Sequence, residues 1–174
     1  MAFFSREKTF KLENCRDLFN KLEREIKRFR QNPKDLFARV DHAFNVVVTA
    51  WHMCDWVCAD LTADQKSKLN IKDRKNMQAV ARQCRALYLC EQAATASKHW
   101  AVYKEYRDPN VSTIVSIAPV RKPEDVHAPT VFEVFFKNGE NVIPAEKVFD
   151  DALEFWRHFI HQNQIAANDP LPGQ

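Results

Sequence analysis

At 174 residues, 45% of them hydrophobic and 28% charged, the chain is sized for one domain with a buried core. Its only glycines are Gly139 and Gly173, which excludes a glycine-rich phosphate loop, a dinucleotide fingerprint and a nucleophile elbow. The net charge of +3 divides unevenly, with 21 Lys+Arg against 13 Asp+Glu in residues 1–107 and 5 against 10 in residues 108–174, so a polyanion partner is allowed without being required.

Pro33 is the sole proline before Pro109, and so long a stretch without breakers reads as helices. The first helix is expected from about Lys8 to Gln31. Its apolar stripe is Cys15, Leu18, Phe19, Leu22, Ile26 and Phe29, and Lys21, Arg24, Glu25, Lys27, Arg28 and Arg30 fall on the other face. Asn32-Pro33-Lys34-Asp35 stops it, with Asn32 as the next N-cap and Pro33 as the first helical residue. So short a connection makes the first two helices antiparallel neighbours.

The stretch Ala43 to Ala59, AFNVVVTAWHMCDWVCA, is apolar on nearly every side and predicts a central, largely enclosed helix ending near Leu61. Phe37, Val40, Phe44, Val47, Trp51, Cys54, Cys58 and Leu61 repeat at spacings of three and four and predict the packing seam. Val46, Ala50, Met53 and Val57 widen it. What remains is a polar stripe of Asp41, Asn45, Thr49, His52 and Asp55, with Trp56 among them.

Thr62 to Gln65 fits a capping box. Asn70 is expected to cap a third long helix, from about Ile71 to Tyr106, on which Met77, Val80, Cys84, Leu87, Ala94 and Ala101 share a face with Glu91 and Lys98. The period then changes. Val111 to Ile117 and Thr130 to Phe136 read as strands, Asn138-Gly139 as a tight turn with positive φ angles, and Asn141 to Ile143 as a short return strand. A last helix runs from Pro144 to about Gln162 with Phe149, Leu153, Trp156 and Ile160 buried. The fold class is therefore mainly α: a four-helix bundle with a small antiparallel sheet, about 111–143, inserted before the last helix. Residues 1–167 form the single domain, and 168–174 are expected to be a disordered tail.

Five cysteines without a CxxC pair predict buried free thiols in a reducing cytoplasm. No signal peptide is expected, and Asn45, His52 and Asp55 unsuit the central helix to a membrane, which needs about 20 apolar residues. No cofactor is implied. No metal is implied either, since ordered ligand motifs such as HExxH are absent.

His52 and Asp55, at i and i+3, can orient an imidazole with a carboxylate, and Lys98 and His99 of the third helix reach the same region if the two polar stripes face each other. These four are the candidate catalytic residues. Asn45, Thr49, Trp56 and Glu91 are the candidate pocket lining. The same residues also suit a satisfied polar network holding helices in register.

The pattern Ala50-Trp51-His52-x-x-Asp55-Trp56 with Ser97-Lys98-His99 resembles small bacterial helical proteins to which no activity is attached. The helical layout is loosely similar to the HEPN superfamily, which includes metal-independent ribonucleases and non-catalytic members. The ribonuclease signature of that family, Arg followed after four to six residues by His on a helix, is matched in spacing by Arg121-x5-His127, in a proline-containing loop. The reading reached from sequence is a non-enzymatic cytoplasmic module that binds a protein partner or self-associates, with nucleic acid as a further partner class. The alternative is a metal-independent ribonuclease or other hydrolase.

Overall fold

The computed structural model describes residues 9–31, 34–98, 108–119 and 130–166. Helix α1 spans Cys15–Gln31, starting later than the sequence suggested. Phe10 and Lys11 have φ of 52° and 66°, values that a right-handed helix does not contain. Asn14 then caps the helix: its Oδ1 accepts from Asp17 N at 3.0 Å, while Asp17 Oδ2 accepts from Glu13 N at 2.8 Å.

Helix α2 spans Leu36–Asp60 and is capped by Asp35, whose side chain accepts from Ala38 N at 3.0 Å. Asn32 and Pro33, expected in that role, lie outside the described residues. Thr62 and Gln65 form the expected capping box of α3, Ala63–Leu69. Asn70 closes α3 in the left-handed conformation at φ 53°, a position that asparagine tolerates, and Asp73 caps the next helix instead.

The long helix expected over 71–106 is divided. Helix α4 is Arg74–Ala81 and α5 is Arg85–Lys98; residues 99–106 lie outside the described residues. Between them Gln83 N and Cys84 N bond back three residues, to Val80 O and Ala81 O. No glycine or proline marks this break. Its consequence is that Arg82 reaches Glu91, nine residues on, which a continuous helix would hold about 13 Å further along its axis.

Three strands follow: β1 (Val111–Pro119), β2 (Thr130–Asn138) and β3 (Asn141–Pro144), antiparallel in the order β1-β2-β3. The β1–β2 register runs without a bulge from Val111↔Asn138 to Pro119↔Thr130. The β2–β3 turn is centred on Gly139-Glu140, one residue later than expected, because Asn138 is still paired with Asn141. Gly139 has the turn's only positive φ, +60°, the pattern of a type II′ hairpin. Helix α6, Ala145–Gln162, leaves directly from Pro144.

The protein is mainly helical with this small sheet. Helix α1 packs on α2 and α6, α5 packs on α2 and α6, and α2 meets α6 between them, while the sheet lies against α2, α5 and α6. Phe29, Phe136 and Phe149 make edge-to-face contacts with centroids 5.0 and 6.1 Å apart, joining α1, β2 and α6. Trp156 donates to Ala50 O at 3.0 Å in the buried centre.

The expected seam of α2 is buried only in its later part: Val47, Cys54, Cys58 and Leu61 are buried together with Val46, Ala50, Met53 and Val57. Phe37, Val40 and Phe44 are instead 79%, 38% and 46% exposed. In a segment apolar on most sides the period cannot select the inward face. The neighbours select it, here α1 and Trp156 of α6.

Arg39, on the same inward face, is 5% exposed. Its Nε donates to Phe132 O at 2.9 Å, its Nη1 to Phe29 O at 2.6 Å and its Nη2 to Glu146, while its guanidinium lies 3.8 Å from the Phe29 ring centroid. Arg39→Ala is expected to cost on the order of 3 kcal/mol, since it orphans two carbonyls and a carboxylate together. Thermal unfolding should then begin roughly 6–12 °C lower. A melting temperature within about 2 °C of the parent would mean that water replaces the guanidinium without loss.

Candidate functional site

Several of the candidate residues taken from the sequence lie on different sides of α2. Thr49 is buried on the α1 side of α2, where Lys21 Nζ donates to its Oγ1 at 2.9 Å. Asn45 and Trp56 are half-buried, Trp56 packing against the core. His52 is exposed on the outward face. Asp55 Oδ1 lies 3.1 Å from Arg74 Nε of α4, an ion pair without the alignment of a hydrogen bond. Glu91 is held in the fork of Arg82, Nε to Oε2 at 2.8 Å and Nη2 to Oε1 at 2.5 Å. Lys98 ends α5, and both its side chain and His99 lie outside the described residues. The polar stripe of α2 thus ranges from buried Thr49 through half-buried Asn45, Asp55 and Trp56 to exposed Asp41 and His52, and Glu91 is engaged by Arg82, just after α4. Among the described residues no three His, Cys, Asp or Glu side chains converge as a metal ion would need.

A buried polar cluster that the sequence reading missed sits between α1 and α2. Glu25 is 5% exposed, with Arg28 Nη1 at 2.8 Å, Lys21 Nζ at 3.5 Å and His42 Nδ1 at 3.5 Å from its oxygens. Its helical position announces this: Glu25 is seven residues after Leu18, three after Leu22 and four before Phe29, all buried. Basic residues of α1 are also occupied elsewhere, Arg30 by Asp150 of α6. The cluster therefore works as an electrostatic joint between two helices.

The thiols are inert by the same burial. It pushes Cys15, Cys54, Cys58 and Cys90 above the ordinary thiol range, and for Cys15 the nearby Asp60 adds to the effect. All five cysteines are free, and Cys84 alone is only partly buried. In the native protein Cys84 should react first with a maleimide and Cys90 last, whereas all five react in denaturant. Equal native rates would contradict this packing.

The outward face of α2 carries what remains. Phe37, Val40 and Phe44 project at i, i+3 and i+7, and Val48 and Trp51 continue the line half-buried. Arg82 roofs Trp51, its guanidinium 5.5 Å from the ring, and is fixed there by Glu91. The stripe is therefore covered at its lower end and open at its upper end. A second depression lies on α6 around the stacked rings of Phe155 and Phe159. Its polar lining is engaged within the helix: Asp151 by Lys147, Glu154 by Arg157, and His158 with Gln162.

No protein-family model, curated protein or solved structure matches this chain. Any functional reading rests on the geometry. Arg82→Ala should shift tryptophan emission to the red by uncovering Trp51, and the shift should vanish in a Trp51→Phe background. Stability should fall by only about 1 kcal/mol, because Arg82 is partly solvated. Unchanged emission would mean that Arg82 does not shield the ring.

Proposed function

We propose that this chain is a cytoplasmic, non-enzymatic binding module, built on α1, α2, α5 and α6 as a four-helix scaffold, whose outer α2 face receives an amphipathic helix of a protein partner. The observation that carries this is the exposure of Phe37, Val40 and Phe44 on one face of a helix whose following turns are enclosed. Fully burying a large apolar side chain is worth roughly 1.5–3 kcal/mol, and these three forgo part of it. Contiguous patches of this kind mark interaction sites. Spacings of i, i+3 and i+7 match the anchors of helix-in-groove recognition. Asp41, exposed on the same side of α2, favours a partner helix with a basic flank. Five free thiols support a reducing compartment.

The decisive comparison sets Phe37→Ser/Phe44→Ser beside His52→Ala. A binding module keeps its partner with His52→Ala and loses it with the double variant, both variants melting near the parent because the replaced side chains are exposed. RNA cleavage by the purified chain that survives EDTA and disappears in His52→Ala and His99→Ala would replace this reading with a metal-independent ribonuclease.

A further inference from the structure

We propose that β1 pairs edge to edge with β1 of a second copy, antiparallel, joining two three-stranded sheets into one of six strands. The surface is distinct from the α2 face, and the inference stands whether or not that face holds a partner.

Among the described residues β1 has β2 on one side and no strand on the other. Alternate residues of such an edge direct their backbone N–H and C=O groups away from the sheet, where another strand can take them. Natural edges are normally blunted by charge, proline, a bulge or short length. The opposite edge follows this rule: β3 has four residues and ends in Pro144. Strand β1 does not. It runs for nine residues, VSTIVSIAP, with no charged side chain, no proline before its last position, and an unbroken register against β2. Its side chains from Ser112 to Ile117 are all exposed, including Ile114, Val115 and Ile117.

The strand is also complementary to itself. Placing a twofold axis on Ile114 sets Ile114 against its own copy, Thr113 against Val115 of the second copy, Ser112 against Ser116, and Val111 against Ile117. Every pair joins side chains of one kind: β-branched with β-branched, serine with serine. A charge at position 114 would meet its own copy across the axis, and the whole segment carries none.

The faces agree as well. Thr113, Val115 and Ile117 lie opposite Phe136, Val134 and Phe132 of β2, so they share the side on which Val134 and Phe136 are buried. Val115 and Ile117 remain 45% and 67% exposed there, although α5 also touches β1. Directly opposed antiparallel pairs preserve sidedness. Both helical layers therefore fall on one side of the joined sheet, with Val115 and Ile117 of both copies in the trough between them. An isologous contact of this kind closes on itself and does not propagate.

The test is sedimentation equilibrium of the full chain across a concentration series, beside Ile114→Lys and Ser116→Lys. The parent is expected to reach twice the 20.3 kDa of one chain. Ile114→Lys, folded by circular dichroism, should raise the dissociation constant by roughly tenfold or more, since it sets two lysines against each other on the axis, and folded Ser116→Lys, set against Ser112, should raise it less. The register is read separately: Ile114→Cys should cross-link to itself under mild oxidation, while Ser112→Cys cross-links efficiently only when mixed with Ser116→Cys. A parent that stays monomeric at every concentration would overturn the proposal. So would a dimer that persists in both folded lysine variants, or one abolished by Phe37→Ser/Phe44→Ser instead.

Discussion

The Arg39 guanidinium is the point where four elements are tied together, and the rest of the architecture hangs on it. It supplies three things that backbone alone leaves wanting. Phe29 O belongs to the last turn of α1, where helical carbonyls have no partner of their own. Phe132 O lies on a part of β2 that β3, paired only with Phe135–Asn138, does not reach. Glu146 stands in the first turn of α6, where a carboxylate already gains from the helix dipole. One planar cation with five donors can meet all three in fixed directions, which a lysine cannot. A buried ion pair adds little to bulk stability on balance. What it does is join α1, β2 and α6 to α2 at one point.

That tie explains why α2 is inward where it is. With Arg39 pointing to α1, β2 and α6, the residues at its heptad spacing, Val46 and Met53, must point the same way. Phe37 and Phe44 are thereby turned out. The lower half of α2 is then enclosed by α4, α5 and α6, and Arg82 closes over Trp51. The upper half keeps its aromatic face open. The sheet shows a similar disposition: β2 buries Val134 and Phe136, while β1 keeps Ile114, Val115 and Ile117 exposed. Two apolar surfaces, the open end of α2 and strand β1, remain at the margins of a well-packed core.

Much of the local structure was legible in the residues. The Thr62–Gln65 capping box, the strands, the departure of α6 from Pro144 and the stripe of α1 follow from short-range rules, in which side chains satisfy or deny nearby backbone groups. The buried charges were legible too, had Glu25 and Arg39 been placed on their helical wheels, since both interrupt apolar lines. The candidate site was less so. His52, Asp55 and Glu91 share plausible chemistry and helical spacing, but spacing within a helix says nothing about which way the helix is turned.

The sequence by itself determined element types, most of their boundaries, the free thiols and the absence of glycine-dependent sites, because each depends on interactions within a few residues. Tertiary structure alone decided three matters: which side of α2 is buried, where the chain breaks between α4 and α5, and which partner each charged group takes. The cause is common to all three. A helix apolar all round has several faces of nearly equal burial free energy, and distant groups settle the choice, Phe132 O and Glu146 for Arg39, Trp156 for Ala50, and Glu91 for Arg82.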